Sequence, residues 1–304
     1  MSLSDVTTPL ARLKSLAVSM ALVVAVGLGA PVLAKPPMWI ATRGHAKLVL
    51  FGSVHLLPAG LDWTPPELVK AEGEARELWF ELPIDQATDA RATRLAALKG
   101  ALPGDATLWS LLSPAAVAKV RRAAAAVGEP AEDLTRLRPW LADVSLSLRA
   151  DLLAGAQARQ GVEQRIQAAA PLAVRRRALE TADEQIAFLA DAPVADQIAS
   201  LSATAEEILD DPDVYARVLA EWMAGKLASL EVDAFDRLRR ASPDLYRRLI
   251  TARNRRWARL LGASAGRDGP AVVVVGMGHM IGPNGLPALL RQAGWTVTGP
   301  VSGD

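Results

Sequence analysis

The chain of 304 residues contains no cysteine, which excludes disulfide bonds, thiolate metal sites, a cysteine nucleophile and a lipid-modified cysteine. Histidine is nearly as scarce, since only His45, His55 and His279 are present, so any imidazole chemistry must use these three positions. Net charge is also almost absent, because 34 basic and 33 acidic residues leave +1 at pH 7. A chain with this balance has no overall attraction to polyanions, and we therefore expect no nucleic-acid partner.

Residues 1–34 have the three parts of a bacterial secretory signal. Arg12 and Lys14 precede a long apolar run, and Ala34 supplies the small residue that signal peptidase reads. Cleavage there would leave Lys35 first, so the sequence predicts an exported, periplasmic protein. If the segment is not cleaved, its apolar run is about long enough to anchor the chain in a membrane, and we expect no other membrane contact.

The remainder, residues 35–304, is predicted to form a single α/β (α+β) domain. Its middle, residues 95–261, is dominated by Ala, Leu, Arg and Glu at helical spacing and broken at Pro and Gly, which predicts a large helical insert. β-like segments lie near both ends of the chain. The predicted strands are residues 39–42, 47–54, 78–82, a segment within 172–181 that ends at Glu180, 271–275 and 295–298. We therefore expect a central mixed sheet built from both ends of the chain and flanked by helices.

Two of the predicted strands end in the same way, with an apolar run followed by Gly-x-x-His. The histidine is His55 in the first strand and His279 in the second. In open α/β sheets, ligands gather just beyond the carboxyl ends of the strands, and a third predicted strand places Glu81 at the same position. Two imidazoles and a carboxylate are a typical set of metal ligands. We therefore expect His55, Glu81 and His279 to form a divalent metal site.

Two other residues of these types have a plainer interpretation. Glu77 lies on the same strand face as Glu81 but about 13 Å away at the rise of an extended chain, so the two cannot share a metal ion. We expect Glu77, at the entrance of the strand, to be solvated. His45 falls in the predicted turn of residues 43–46 and is interpreted as a surface residue.

The helix predicted over residues 245–261 has Arg253 on its apolar stripe. A buried arginine requires a carboxylate partner, which Glu81 or Glu180 could supply. Glu180 itself has two interpretations, either as a ligand or general base at the edge of the sheet, or as a capping partner at the start of the next helix.

Arginine also recurs in pairs and triplets through the second half of the chain. These groups are residues 175–177, 239–240, 247–248 and 255–256. We expect them to lie on solvated faces, with a polyanion site as the less favoured interpretation.

Taken in order, several segments resemble the TraB/GumN family, to which the Tiki metalloproteases of animals are related. The segments are Leu50-Phe51-Gly52-Ser53-Val54-His55, the acidic strand that ends at Glu81, Gly161-Val162-Glu163-Gln164, Leu179-Glu180-Thr181 with Gln185, Arg253-Asn254-Arg255-Arg256-Trp257, and the glycine-rich run from Gly276 to Gly282 before Gly285-Leu286. The resemblance covers nearly the whole chain after the leader. One difference is Ser53, where the family usually has threonine.

The resemblance implies a mixed sheet flanked by helices, with His55, Glu81 and His279 as ligands of a divalent metal. It further implies that Glu180, Arg253 and Asn254 lie near the metal or face the substrate. A metal held in this way activates water, which predicts an exported metal-dependent hydrolase of peptides or other small substrates. Glu180 would then carry a proton, and Arg253 would stabilise an oxyanion or hold a substrate carboxylate. The ligand types do not decide among Mn, Zn and Co.

Two alternatives remain open on the sequence alone. The first is a periplasmic binding or regulatory protein that captures a peptide or a metal complex in the same cleft without turnover. The second is a structural protein in which His55 and His279 only satisfy backbone groups.

Overall fold

The computed structural model describes residues 35–157 and 160–300, so the predicted leader lies outside the described residues. The strands are β1 (Met38–Arg43), β2 (Ala46–Ser53), β3 (Glu77–Phe80), β4 (Arg175–Ala178), β5 (Ala271–Gly276) and β6 (Thr296–Thr298). The helices are α1 (Pro66–Glu74), α2 (Gln86–Gly100), α3 (Leu108–Leu111), α4 (Pro114–Ala126), α5 (Ala131–Leu134), α6 (Pro139–Leu153), α7 (Val162–Ala169), α8 (Ala182–Ala190), α9 (Val194–Asp210), α10 (Val214–Ala224), α11 (Leu227–Ala241), α12 (Pro243–Tyr246), α13 (Ala252–Ser264) and α14 (Leu286–Gln292).

The six strands form one mixed sheet in the order β4-β3-β5-β2-β1-β6. The four strands from β4 to β2 are parallel, whereas β1 runs antiparallel to both of its neighbours. The central strand β5 is buried along its whole length, as its run of four valines predicts for a parallel strand covered on both faces. The predicted sheet built from both ends of the chain is therefore confirmed.

The hairpin between β1 and β2 turns at Gly44, whose φ of +60° lies in the left-handed region that glycine tolerates. The next residue in the turn, His45, is exposed, in agreement with its interpretation as a surface residue.

An aromatic cluster packs beside the end of β2. The ring of Phe51 stacks on Trp63 at a centroid distance of 5.6 Å, and Trp222 packs edge-on against Phe51. The indole N–H of Trp222 donates to the carbonyl of Gly52 at 2.8 Å. These contacts fix the backbone immediately before His55.

The helical middle of the chain begins at α2, a little earlier than predicted, and it has an apolar core of its own. Helices α3 to α6 and α9 meet there around buried aliphatic side chains, which include Leu108, Val120, Leu134, Leu146 and Leu201. Among the described residues, no helix is both long enough and apolar enough to cross a membrane.

One residue of the sheet differs from its prediction. Glu77 is buried rather than solvated, with an exposure of only 4%. Its carboxylate accepts a hydrogen bond from the indole of Trp79 and pairs with Arg175 of β4 at 3.1 Å. The expectation failed because the neighbouring strand supplies a cation at the entrance of β3.

Candidate active site

The carboxyl ends of the parallel strands meet at one edge of the sheet, as predicted. Ser53 at the end of β2 pairs with Gly276 at the end of β5. Beyond β3 and β4 the pairing continues, because the amide of Glu180 donates to the carbonyl of Glu81 at 3.0 Å. The chain segments that carry His55, Glu81, Glu180 and His279 therefore leave the sheet side by side.

His55 is held by a carboxylate from the first turn of α7. Its Nδ1 lies 2.6 Å from Oε1 of Glu163, and the hydroxyl of Ser53 donates to the same oxygen at 2.5 Å. Helix α7 is docked against this loop, since the amide of Val162 donates to the carbonyl of Val54 and a side chain on Gly161 would collide with the backbone of His55. The His55 side chain remains 63% exposed.

The pair is electrostatically coupled. The charge of the Glu163 carboxylate and the hydrogen bond to it raise the pKa of the His55 imidazole above its ordinary value. Burial would raise the pKa of Glu163, but the charge of His55 and the hydrogen bonds from His55 and Ser53 lower it overall. An ionised carboxylate can only accept, so Nδ1 of His55 carries the donated proton and Nε2 faces away from Glu163.

His279 is held in a different way, by an amide inside the core. Asn254 donates from Nδ2 to the carbonyls of Asn284 and His279, at 2.7 and 3.3 Å. This orientation turns Oδ1 of Asn254 towards Nδ1 of His279, 2.6 Å away, so this ring nitrogen is the donor and Nε2 carries the lone pair. The ring packs against Trp257, and burial lowers the pKa of His279 to about 3.

Glu81 lies between the two imidazoles. Its Oε1 accepts the amide proton of Gly276 at 2.8 Å and lies 3.8 Å from Nε2 of His279. A Cβ on Gly276 would lie 3.1 Å from Nε2 of His55 and 3.2 Å from the same Oε1, so the second imidazole also faces this carboxylate, and a side chain at this position would crowd both groups. Burial would raise the pKa of Glu81, but His279, His55, Arg253 and the Gly276 amide together lower it to about 2.

Arg253 has the carboxylate partners that its position on the apolar stripe predicted. Its guanidinium donates to Oε2 of Glu81 at 2.7 Å and to both oxygens of Glu180, at 2.5 and 3.1 Å. A further donor is bound to the carbonyl of Leu249. The guanidinium is thus bound on several sides by the protein itself, and it is only 7% exposed.

Glu180 does not cap the following helix. The N-cap of α8 is Thr181, which forms a reciprocal capping box with Glu184. The Glu180 side chain instead binds Arg253 and Arg256 and accepts a weak hydrogen bond from Gln185. Burial raises the pKa of Glu180 despite these arginines.

A cleft of about 260 Å³ opens in front of His55 and Glu81. Its other walls come from the loop after β3 and from the first turns of α2, α7 and α8. The lining residues include Leu82, Pro83, Ile84, Asp89, Glu163, Gln164 and Gln185. The site therefore has an open side at His55 and a closed side at His279.

The hydrogen bonds of the two imidazoles are those expected of metal ligands, whereas the spacing of the acidic and imidazole groups is not. A histidine that ligates a metal usually donates its other ring N–H to a carboxylate or carbonyl oxygen, as His55 does to Glu163 and His279 to Asn254. Across residues 35–157 and 160–300, however, no group of three or more His, Asp or Glu side chains is spaced to hold a metal ion. Arg253 and the Gly276 amide each bind one oxygen of Glu81.

Fold and site together define a mixed α/β domain with paired strand-end histidines around a buried carboxylate. The model of the TraB/PrgY/gumN family matches residues 37–299, nearly the whole folded chain, and the protein belongs to this family. Neither the curated proteins nor the solved structures contain a match to the chain.

Glu163 is the site residue that the sequence analysis did not assign. The segment that contains it was noted only as part of the family resemblance, and no role followed from its position. Its one local signal is a carboxylate in the first turn of a helix.

Proposed function

We propose that this protein is an exported metal-dependent hydrolase that acts on peptides in the cleft in front of His55. The observation that carries the proposal is the shared orientation of the two imidazoles. Both are held through Nδ1, and both direct Nε2 towards Glu81. Export follows from the predicted leader, and the family membership is consistent with the proposal.

In this proposal, His55, His279 and Glu81 hold one divalent cation, with Zn, Mn and Co as candidates. The bound cation would polarise the scissile carbonyl and lower the pKa of water. Glu163 orients His55 and Asn254 orients His279, so each ring is held through Nδ1 in a fixed orientation before any ion arrives.

Arg253 and Glu180 act as positioning residues in this proposal. The guanidinium is already bound to Glu81, Glu180 and a backbone carbonyl, so it fixes the Glu81 carboxylate rather than holding a substrate. The Glu180 carboxylate is enclosed by Arg253 and Arg256 and fixes the guanidinium in turn. The earlier roles of Glu180 in proton transfer and of Arg253 at an oxyanion are therefore the less favoured ones.

The substrate lies along the open side of the site. Leu82, Pro83 and Ile84 offer an apolar wall, while Gln164 and Gln185 offer amide groups that pair with a peptide backbone. The volume of the cleft suits one or two side chains, and its open shape admits an extended chain.

A binding protein without turnover is the second candidate, and one observation favours it. Both oxygens of Glu81 already accept hydrogen bonds from the protein, at 2.7 and 2.8 Å. A cleft with this carboxylate held fixed can still capture a peptide beside His55 without a metal ion.

Metal content is the first test. We expect about one divalent ion per chain by elemental analysis of the protein from Lys35 onward, purified without chelator or nickel affinity. The ion should be lost in the double variant His55→Ala, His279→Ala and retained in His45→Ala, which removes the exposed histidine of the hairpin turn. A wild-type protein that stays metal-free after dialysis against Zn, Mn and Co would contradict the hydrolase.

Turnover is the second test, with a mixed peptide library as substrate and mass spectrometry as readout. Glu81→Gln is expected to abolish cleavage while the circular dichroism spectrum is unchanged. Peptide retention without any product, in a wild-type protein that does hold metal, would favour the binding protein instead.

A further inference from the structure

A second cleft lies on another face of the helical region, with a volume of about 620 Å³. Its wall is one stripe of the segment that runs from α12 into α13. The residues of this stripe are spaced four, three and four positions apart, which places them on one helical face. They are Arg248, Ala252, Arg255 and Arg259. None of these four residues belongs to the site around Glu81.

The arginines of this stripe differ from their neighbours in the chain. The surrounding arginines pair with carboxylates, as Arg217, Arg237, Arg239, Arg240, Arg253 and Arg256 do. Among the described residues, no carboxylate lies within salt-bridge distance of Arg248, Arg255 or Arg259. The arginine pairs occupy exposed or half-exposed positions, as predicted, and three guanidiniums of this surface lie around one cavity.

The charges around the cleft do not cancel. Its lining has four arginines, with Arg247 as the fourth, and two carboxylates, Asp196 and Asp244. Asp244 is paired with Arg247 at 2.9 Å, and Asp196 accepts a hydrogen bond from the hydroxyl of Ser242. The lining therefore carries a net charge of +2 when all six groups are ionised, and a concave surface with this excess of one sign attracts anions.

The backbone beside the cleft is also unusual. Residues Arg247–Thr251 form a π-helical turn, a rare geometry that is frequent at functional sites. Arg248 and the buried Thr251 of this turn line the cleft. Shortly after the turn, Arg253 and Asn254 lie on the other face of the helix, which is buried against the site around Glu81. Phe188 completes the wall, and its other contacts include the guanidinium of Arg253, 5.4 Å from the ring centroid.

From this arrangement we infer that the cleft is a binding site for a small, doubly charged oxyanion, either a phosphate group or a dicarboxylate. Guanidinium groups bind both ligands through paired N–H donors. A charge of −2 balances the lining, and Arg255 and Arg259, about 6 Å apart along the helix axis, can reach one such ligand together. The inference does not depend on the proposed hydrolase.

The test is isothermal titration calorimetry of the chain from Lys35 onward, stripped of metal and then freed of chelator, at about pH 8, where a phosphate group is doubly charged. Inorganic phosphate and succinate are the two probes. We expect one of them to bind at one site per chain. The triple variant Arg248→Gln, Arg255→Gln, Arg259→Gln should weaken this binding at least tenfold.

The matched control removes the same charge elsewhere. The control triple variant changes three exposed arginines that do not line the cleft, by the substitutions Arg94→Gln, Arg122→Gln and Arg267→Gln. Its affinity for the bound probe should stay within twofold of the wild-type value. Ala252→Trp fills the cleft without changing charge, and it should also weaken binding at least tenfold. The inference is overturned if neither probe binds the wild type, or if the cleft triple variant binds as tightly as its control.

Discussion

His55 and His279 end two neighbouring strands in the same Gly-x-x-His motif, yet their surroundings are opposite. The side chain of His55 is 63% exposed and that of His279 only 6%. A carboxylate holds the first ring, and its charge raises the pKa of His55. An amide holds the second ring inside the core, where burial lowers the pKa of His279.

The motif therefore places an imidazole at the edge of the sheet, while helices distant in the sequence determine its charge and its exposure. The closed side, with Asn254 and Arg253 of α13, should matter most for stability. The open side, with Glu163 of α7, should matter most for the chemistry of the cleft. Substitutions on the two sides test this division of roles.

The largest expected effect is on the closed side, at Arg253. Arg253→Met leaves Glu81 and Glu180 buried without their shared guanidinium and should lower the free energy of unfolding by about 3–5 kcal/mol. Urea unfolding followed by circular dichroism measures the loss. Arg122→Met, at an exposed position, is the control, and a loss at Arg253 no larger than at Arg122 would show that the closed side is not the stabilising one.

A smaller effect is expected at Asn254, which is fully buried. Asn254→Ala removes the partner of His279 Nδ1 and of two backbone carbonyls, and should cost about 2 kcal/mol in the same measurement. Asn284→Ala is the matched control, because only the backbone of Asn284 takes part, and its cost should stay within about 0.5 kcal/mol. Equal costs at the two asparagines would contradict the assigned network.

The smallest effect on stability is expected on the open side. Glu163→Gln keeps the shape of the side chain and should cost only about 1 kcal/mol. The pKa of His55 should fall towards its ordinary value because the neighbouring negative charge is removed. A histidine whose pKa is raised on folding stabilises the folded state fully at pH values below its pKa in the unfolded chain. This stabilisation is lost as the pH rises through the pKa of the folded state, so the variant should show less of this pH dependence.

Proton NMR titration of metal-free protein measures this pKa. The exposed His45 serves as an internal control, and its titration curve should be the same in wild type and variant. An unchanged pKa at His55 in Glu163→Gln would mean that Glu163 does not set the charge of the open side.

Much of the sheet and of its edge could be predicted from the sequence. The valine run predicted a buried strand, and the two Gly-x-x-His motifs predicted that both histidines lie at one edge of the sheet, as the parallel pairing of β2 with β5 then showed. The ion pairs of Arg253 were predictable for a similar reason, because an arginine on an apolar stripe must find a carboxylate.

The partners contributed by docked helices could not be predicted. Whether Glu163 reaches His55 depends on how α7 packs against the loop after β2, and no local pattern specifies that packing. Glu77 shows the same limit, since its burial follows from a cation on β4, about 100 residues away in the chain. The three arginines of the second cleft that lack a carboxylate partner within residues 35–157 and 160–300 are likewise recognised only from the three-dimensional positions of the carboxylates.

The pairing of β2 with β5 has a consequence for how the protein folds. Leu48 is in register with Ala271, about 220 residues further along the chain, and neither histidine site is complete before both strands are in place. Such long-range pairing slows folding, because a large loop must close before the contact stabilises anything. The helical middle can pack around its own core first, and the two imidazoles meet only when β5 pairs with β2.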